Sequence, residues 1–228
     1  HILWMPGDWR HGINPMLVQE KLTEDSNYEI KAVLAVHTET STGVTSRIGE
    51  IRQAMDAAKH PALFMVDAVS SLACTEYQHD DWGVDVTVSA SQKGLMLPPG
   101  LSFNAVSELA LERAAENQGM HSYWRWDAML EHTQRGYFPY TPSTNVLYGL
   151  EEALNLLHRE GLDHVYARHS RFAAATRAAL AGWELENVCL NPAEFCNSTT
   201  AVMMPEGYDA DDLREDILSR FDMSLGTG

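Results

Sequence analysis

Three short runs of branched apolar residues, each ending in a cluster of polar side chains, restrict this chain to a sheet with covered faces. Ile30-Lys31-Ala32-Val33-Leu34-Ala35-Val36 runs into His37-Thr38-Glu39-Thr40-Ser41-Thr42-Gly43. Ala62-Leu63-Phe64-Met65-Val66 delivers Asp67, and Val84-Asp85-Val86-Thr87-Val88 leads to Ser89-Ala90-Ser91-Gln92-Lys93-Gly94. Near-continuous apolar strands are those buried on both faces, the usual condition of parallel sheets. Helical spacing separates the first two runs: Ile48, Ile51, Ala54, Met55 and Ala58 share a face, with Ser46 as N-cap and Pro61 as the stop. An earlier helical pattern follows Asn14-Pro15 through Leu17, Val18 and Leu22. Strand, helix, strand, with polar residues at strand carboxyl ends, predicts an α/β fold with a mainly parallel sheet and a ligand crevice at those ends.

Beyond the third run, helical spacing returns over 106–115 and 147–157, and Gly161 punctuates the chain before a long helix over 162–183. The last part reads as a strand over 199–204, a turn at Pro205-Glu206-Gly207 and a helix over 209–220. The first turn of that helix holds Asp209, Asp211 and Asp212, which suits its dipole. The boundary therefore falls near Glu160. Residues 1–160 form the unit with the crevice, and residues 161–228 begin a smaller α+β unit.

Composition removes several function classes. Asp and Glu number 32 against 16 Lys and Arg, a formal charge of -16. Such a surface repels nucleic acid and anionic lipid, both of which bind through Lys and Arg. No apolar run approaches the ~20 residues of a membrane span. No G-x-G-x-x-G follows a strand and no G-x-x-x-x-G-K-[ST] is present, which argues against dinucleotide and P-loop sites. Cys74, Cys189 and Cys196 form no C-x-x-C pair and read as reduced thiols of a cytoplasmic compartment, with no zinc site. His37-x-Glu39 lacks a third metal ligand and reads as a turn, while His158, His164 and His169 read as surface residues. The chain has no initiating Met and its first residues lack signal-peptide zones, so it reads as a segment of a longer gene product.

The strand ends carry Thr40 and Ser41, Asp67, and Gln92-Lys93 toward one crevice. An amine, a carboxylate, hydroxyls and an amide are the groups that pyridoxal phosphate demands. The amine binds the cofactor covalently and moves a proton, the carboxylate keeps the ring nitrogen protonated, and the rest hold phosphate and ring oxygen. Burial of the Lys93 loop before Pro98-Pro99-Gly100 would lower the pKa of its ammonium toward the neutral amine. Taken singly, these residues also have ordinary readings: a solvated loop lysine, a helix-capping aspartate, and threonines in a turn.

Taken together and in order, His37-Thr38-Glu39-Thr40-Ser41-Thr42-Gly43, Val66-Asp67-Ala68-Val69-Ser70-Ser71-Leu72 and Ser91-Gln92-Lys93-Gly94 with Pro98-Pro99-Gly100 closely resemble class V aminotransferases. The resemblance extends over nearly the whole chain. Pro6-Gly7-Asp8-Trp9-Arg10-His11-Gly12, Ser122-Tyr123-Trp124-Arg125-Trp126 and Phe138-Pro139-Tyr140-Thr141-Pro142 are similar to the serine–glyoxylate branch more than to the alanine–glyoxylate one. The resemblance implies the type I fold of pyridoxal-phosphate transferases. Residues 1–160 would then be the C-terminal part of the large domain, and 161–228 an incomplete small domain.

It further implies that Lys93 forms the Schiff base to pyridoxal 5'-phosphate and that Asp67 meets the pyridinium. Gln92 matches a phosphate ligand and Thr40 the hydroxyl near the ring's 3' oxygen. Thr141 matches a reach from one subunit to the phosphate of its neighbour's cofactor, which implies a homodimer with shared sites. The tyrosine of that reach falls at Phe138, with Tyr140 as the substitute hydroxyl. The implied substrates are a small amino acid, serine or alanine, and glyoxylate or a similar 2-oxo acid. The family's Gly-rich phosphate turn, ring-stacking aromatic and carboxylate-binding arginine have no counterpart in these residues. Two alternatives stay open: a cysteine desulfurase or lyase of the same superfamily, and a catalytically incomplete fold or dimerisation unit. Cys74 lies too early for the desulfurase thiol and reads as packing. Trp82, Trp124 and Trp126 read as core or subunit-interface residues.

Overall fold

The computed structural model describes residues 1–117, 119 and 122–226, the side chain of Ser122 excepted. Thr227 and Gly228, which close the expected segment 161–228, and the Ser122 side chain of the aromatic motif lie outside the described residues. The chain begins with helix α1 (Pro15–Glu24), followed by β1 (Ala32–Val36), the hairpin β2 (Thr38–Glu39) and β3 (Val44–Thr45), and α2 (Ile48–Ala57). Then come β4 (Leu63–Asp67), β5 (Val86–Ala90), β6 (Ser102–Val106), α3 (Glu108–Glu116) and α4 (Trp126–Gln134). The rest is α5 (Thr144–Glu160), α6 (Leu162–Gly182), the short pair β7 (Glu186–Asn187) and β8 (Val202–Met203), and α7 (Ala210–Phe221).

The central sheet has the order β1-β4-β5-β6. Its first three strands are parallel, and β6 adds an antiparallel edge. This edge strand differs from the sequence expectation, which had no strand there. The third strand also begins later than expected, because Asp85 has another task. Its buried carboxylate accepts the backbone N–H of Phe64 at 2.8 Å and the Ser107 hydroxyl at 2.9 Å, so the charge is hydrogen-bonded rather than orphaned. Ser46 does not cap α2 either. Arg47 is the residue before the helix, and the Ser46 hydroxyl accepts from the Ile13 N–H instead.

Helices α1 and α2 cover one face of the sheet. Asn14 caps α1 by accepting from the Met16 N–H, and Val18 and Leu22 point inward. They meet Ile48, Ile51 and Met55 of α2 and Ala35, Phe64 and Val66 of the sheet in a single core. Full burial of Phe64 alone is worth roughly 2–3 kcal/mol. The opposite face is open around Leu34 and the strand carboxyl ends, contrary to the expectation of strands buried on both sides, although Val86 on that face is buried. Period-2 alternation turns Leu34, Val36, Asp67 and Val88 to it, and Leu34 is 76% exposed. Among the described residues both covering helices belong to the other face.

A second core cluster places the segment after β5. Leu95 packs with Ala73, Leu157 of α5 and Val165 of α6, and Leu97 borders them. Gly161, at φ 84°, makes the reversal between these two long helices. The C-terminal part is tied back by long-range bonds. Buried Glu194 accepts the Gly12 N–H at 2.9 Å, and the Cys196 N–H donates to the Gly43 carbonyl at 3.1 Å. No helix among the described residues is long and apolar enough to cross a membrane.

Candidate active site

The carboxyl ends of β1, β4 and β5 stand side by side, with Val36, Asp67 and Val88 in register. Asp67 is the last residue of β4 and is exposed on the open face. Its carbonyl accepts the His37 N–H at 2.9 Å, and Oδ1 accepts the Val69 N–H at 2.8 Å. Oδ2 has no protein partner among the described residues. Thr40 follows the first strand, and its hydroxyl lies 2.6 Å from that of Ser70. The turn after Asp67 and the loop after β1 are therefore joined through Thr40 and Ser70. The Ser70 carbonyl in turn accepts the Ser198 hydroxyl at 2.8 Å, a link from the distant C-terminal part.

Gln92 and Lys93 occupy the turn after β5. Ser91, fully buried, staples this turn: its hydroxyl donates to the Pro98 carbonyl at 2.8 Å and accepts the Leu101 N–H at 3.2 Å. The Met96 N–H closes the loop on the Lys93 carbonyl at 2.9 Å. Gln92 and Lys93 are both exposed, so the confinement expected of the Lys93 loop is not found. The Lys93 amine has no hydrogen bond or ion pair among the described residues. Lys93 lines a cleft of about 380 Å³ with Ser70, Cys74, Arg168, His169 and Ser198.

The walls of that cleft have settled roles. Arg168 gives Nε and Nη2 to the Glu160 carboxylate at 2.7 and 2.9 Å, and this pairing holds Glu160 below the usual carboxylate range. His169 is half-buried rather than a surface residue, and burial lowers its pKa. Cys74 is buried, and burial first, then Cys196, pushes its thiol pKa up. A nucleophilic thiol needs the opposite shift, so Cys74 is a packing residue and gives no support to a desulfurase. No three His, Cys, Asp or Glu side chains converge on a metal-holding position among the described residues.

Tyr140 and Thr141 lie in the connection between α4 and α5, and neither lines the cleft. The Tyr140 ring stands 5.0 Å from Tyr123, which meets Trp124 edge-on at 5.2 Å. Trp124 is 78% exposed, so of the core and subunit-interface readings it is the core one that this chain excludes. Trp82 instead joins Tyr77 around the buried ring of His37, at 5.8 and 5.3 Å. Burial pushes the His37 pKa down to about 4. Sequence reasoning missed Ser70 and Ser198, since no local pattern marks two serines 128 residues apart as partners.

The chain matches the aminotransferase class-V family over residues 2–223. It is 44% identical over 226 residues to the serine–glyoxylate aminotransferase of Methylorubrum extorquens, covering 97% of this chain and 56% of that protein. It is 40% identical over 220 residues to the L-aspartate–glyoxylate aminotransferase of Paracoccus denitrificans, covering 96% and 56%. The crystal structure of pyridoxamine–pyruvate aminotransferase from Mesorhizobium loti superposes with a TM-score of 0.89 at 31% identity, covering 96% of this chain and 56% of that one. The chain thus spans a little over half the length of these relatives.

Proposed function

Because the chain belongs to the class-V aminotransferase family, we propose that the protein containing it moves an amino group from a small amino acid to glyoxylate or a similar 2-oxo acid. One observation carries this reading. Adjacent strand ends hold a carboxylate at Asp67, a hydroxyl at Thr40 and an amine at Lys93, and among the described residues Asp67 Oδ2 and the Lys93 amine have no partner. This donor set fits pyridoxal 5'-phosphate. When bound, the cofactor supplies the electron sink that lets the Cα–H bond of an amino acid ionise.

In this reading Lys93 Nζ would hold the cofactor covalently, and its amine would be the base for the proton at the substrate Cα. Asp67 keeps the proton on the ring nitrogen through Oδ2, the oxygen that Val69 leaves free. Thr40, oriented by Ser70, serves the ring oxygen, and the Gln92 amide serves the phosphate. Thr141 and Tyr140 of one copy serve the phosphate of the other in a homodimer with shared sites. Residues 1–160 act as part of the cofactor-binding domain and 161–228 as part of a smaller one. The serine–glyoxylate relatives at 41–44% identity favour serine over alanine as donor. The aspartate–glyoxylate relative makes aspartate the competitor to test. Three buried free thiols favour a reducing compartment such as the cytoplasm.

The test is borohydride fixation of pyridoxal phosphate on the full-length protein, peptide mapping, and turnover of serine, alanine and aspartate with glyoxylate. The expected result is label on Lys93, loss of label and turnover in Lys93→Ala, and serine as the preferred donor. Label on another lysine, or turnover that survives Lys93→Ala, overturns the reading.

A further inference from the structure

We propose that His37 is a positioning residue for Asp67: it anchors both ends of the turn that carries the carboxylate, one end through its backbone and the other through its ring. This rests on the reading of Asp67 as the partner of the cofactor's ring nitrogen.

The turn starts at Asp67, whose carbonyl accepts the His37 N–H at 2.9 Å. It ends at Ser71, whose hydroxyl lies 2.9 Å from His37 Nδ1 and 3.3 Å from the Ala68 carbonyl. All three groups are satisfied when Nδ1–H donates to the Ser71 oxygen and the Ser71 hydroxyl donates to Ala68. Ser89 gives a second hydroxyl to the same carbonyl at 3.4 Å. The histidine therefore holds residues 67 and 71 while the Asp67 carboxylate faces the open side, where among the described residues the Val69 N–H alone restrains it.

The ring is itself fixed. It is 3% exposed, and Tyr77 and Trp82 enclose it with centroids at 5.3 and 5.8 Å. The Tyr77 hydroxyl is pinned 2.6 Å from the Thr87 hydroxyl, which also meets His79 Nδ1 at 2.8 Å. A neutral, fully enclosed imidazole with one ring nitrogen on the turn is a rigid support, and a partner for a ring nitrogen must be held to within ~0.5 Å. The Cα–H chemistry assigned to Lys93 makes no use of His37, so this support is a separate assignment.

The experiment uses the full-length holoenzyme and reads pyridoxal-phosphate affinity and the pH titration of its visible absorbance. In His37→Phe, which keeps a ring but removes Nδ1, the cofactor dissociation constant rises about tenfold, the loss of ~1.4 kcal/mol, and the absorbance midpoint shifts. His37→Asn places an amide nitrogen near Nδ1 and restores both readings to within about twofold of the parent. If His37→Phe does not fold, Ser71→Ala removes the other partner at little cost in volume and shows the same shift. Parent-like affinity and midpoint in His37→Phe or in Ser71→Ala overturn the proposal, as does equal loss in the Phe and Asn variants, which would mean packing alone. Asp67→Asn separates the two claims: if it leaves the titration unchanged, the reading of Asp67 fails first.

Discussion

Gly94 lies so close to the segment after β4 that a Cβ on it would overlap the Leu72 carbonyl oxygen and stand 2.8 Å from the Cys74 sulfur. The obstruction is backbone, which has no alternative rotamer to retreat into. Gly94 thus sets the height at which the Lys93 loop rests on its floor. Gly94→Ala must lift this loop, and Lys93 moves with it. The expected outcome is a fold-stability loss of about 1–3 kcal/mol and weaker covalent retention of pyridoxal phosphate, measured by urea unfolding and by absorbance after dialysis. Gly136→Ala is no control for it, because Gly136 has φ 78°; Gly182→Ala, in a helix with open space around it, is.

The His37 ring also gives a pH dependence with a definite sign. Its folded pKa of about 4 lies below the ordinary 6.5. Between those values the unfolded chain binds a proton that the folded chain does not, so stability falls as pH falls. The full effect is about 3 kcal/mol, of which about 2 kcal/mol is reached by pH 5. Urea unfolding at pH 7.5 and 5 should show this loss in the parent and a smaller one in His37→Phe. His169, lowered by burial too, adds a loss of the same sign and remains in both proteins. The difference between the two proteins isolates His37.

Phe64 and Leu34 test the one-sided core. Phe64 has no exposed surface and packs beneath α1 and α2, whereas Leu34 is 76% exposed. Phe64→Ala should cost about 3–5 kcal/mol, and Leu34→Ala should stay within about 0.5 kcal/mol in this chain. Repeating the Leu34→Ala measurement in the full-length protein shows whether its face is covered there.

What was legible in the sequence follows from how locally each feature is determined. The runs ending at Val36 and Asp67 are apolar enough to declare strands, though not that one face is open, and Asp209 followed by Asp211 and Asp212 declares the start of α7. The edge strand over Ser102–Val106 alternates weakly, follows Pro98-Pro99-Gly100 and owes its existence to pairing with β5, so its own residues did not announce it. The motifs named Asp67, Thr40 and Lys93, yet not Ser70 as the hydroxyl partner of Thr40. Ser70 and Ser198 meet only after the chain has folded. His37 read as a turn residue because its burial is decided by Tyr77 and Trp82, 40 or more residues onward.

Glu194 tests the attachment of the C-terminal part to the part that carries the central sheet. Its carboxylate is buried, accepts the Gly12 N–H at 2.9 Å, and lies 3.5 Å from Arg47 Nε and 3.7 Å from His11 Nδ1. Glu194→Ala leaves a backbone N–H and a guanidinium facing a vacated site, which should cost about 2–4 kcal/mol. Glu194→Gln keeps an acceptor for Gly12 and gives up only the charge, so it should lose about half as much. The partners belong to different parts of the chain: Gly12 and Arg47 precede β4, and Glu194 follows β7. The loss should therefore appear as uncoupling rather than as a uniform shift. Urea unfolding followed by Trp fluorescence and by backbone circular dichroism should coincide in the parent and separate in Glu194→Ala. Coincident, parent-like transitions in that variant would mean that the bonds of Arg10, Cys196 and Ser198 hold the two parts together without Glu194.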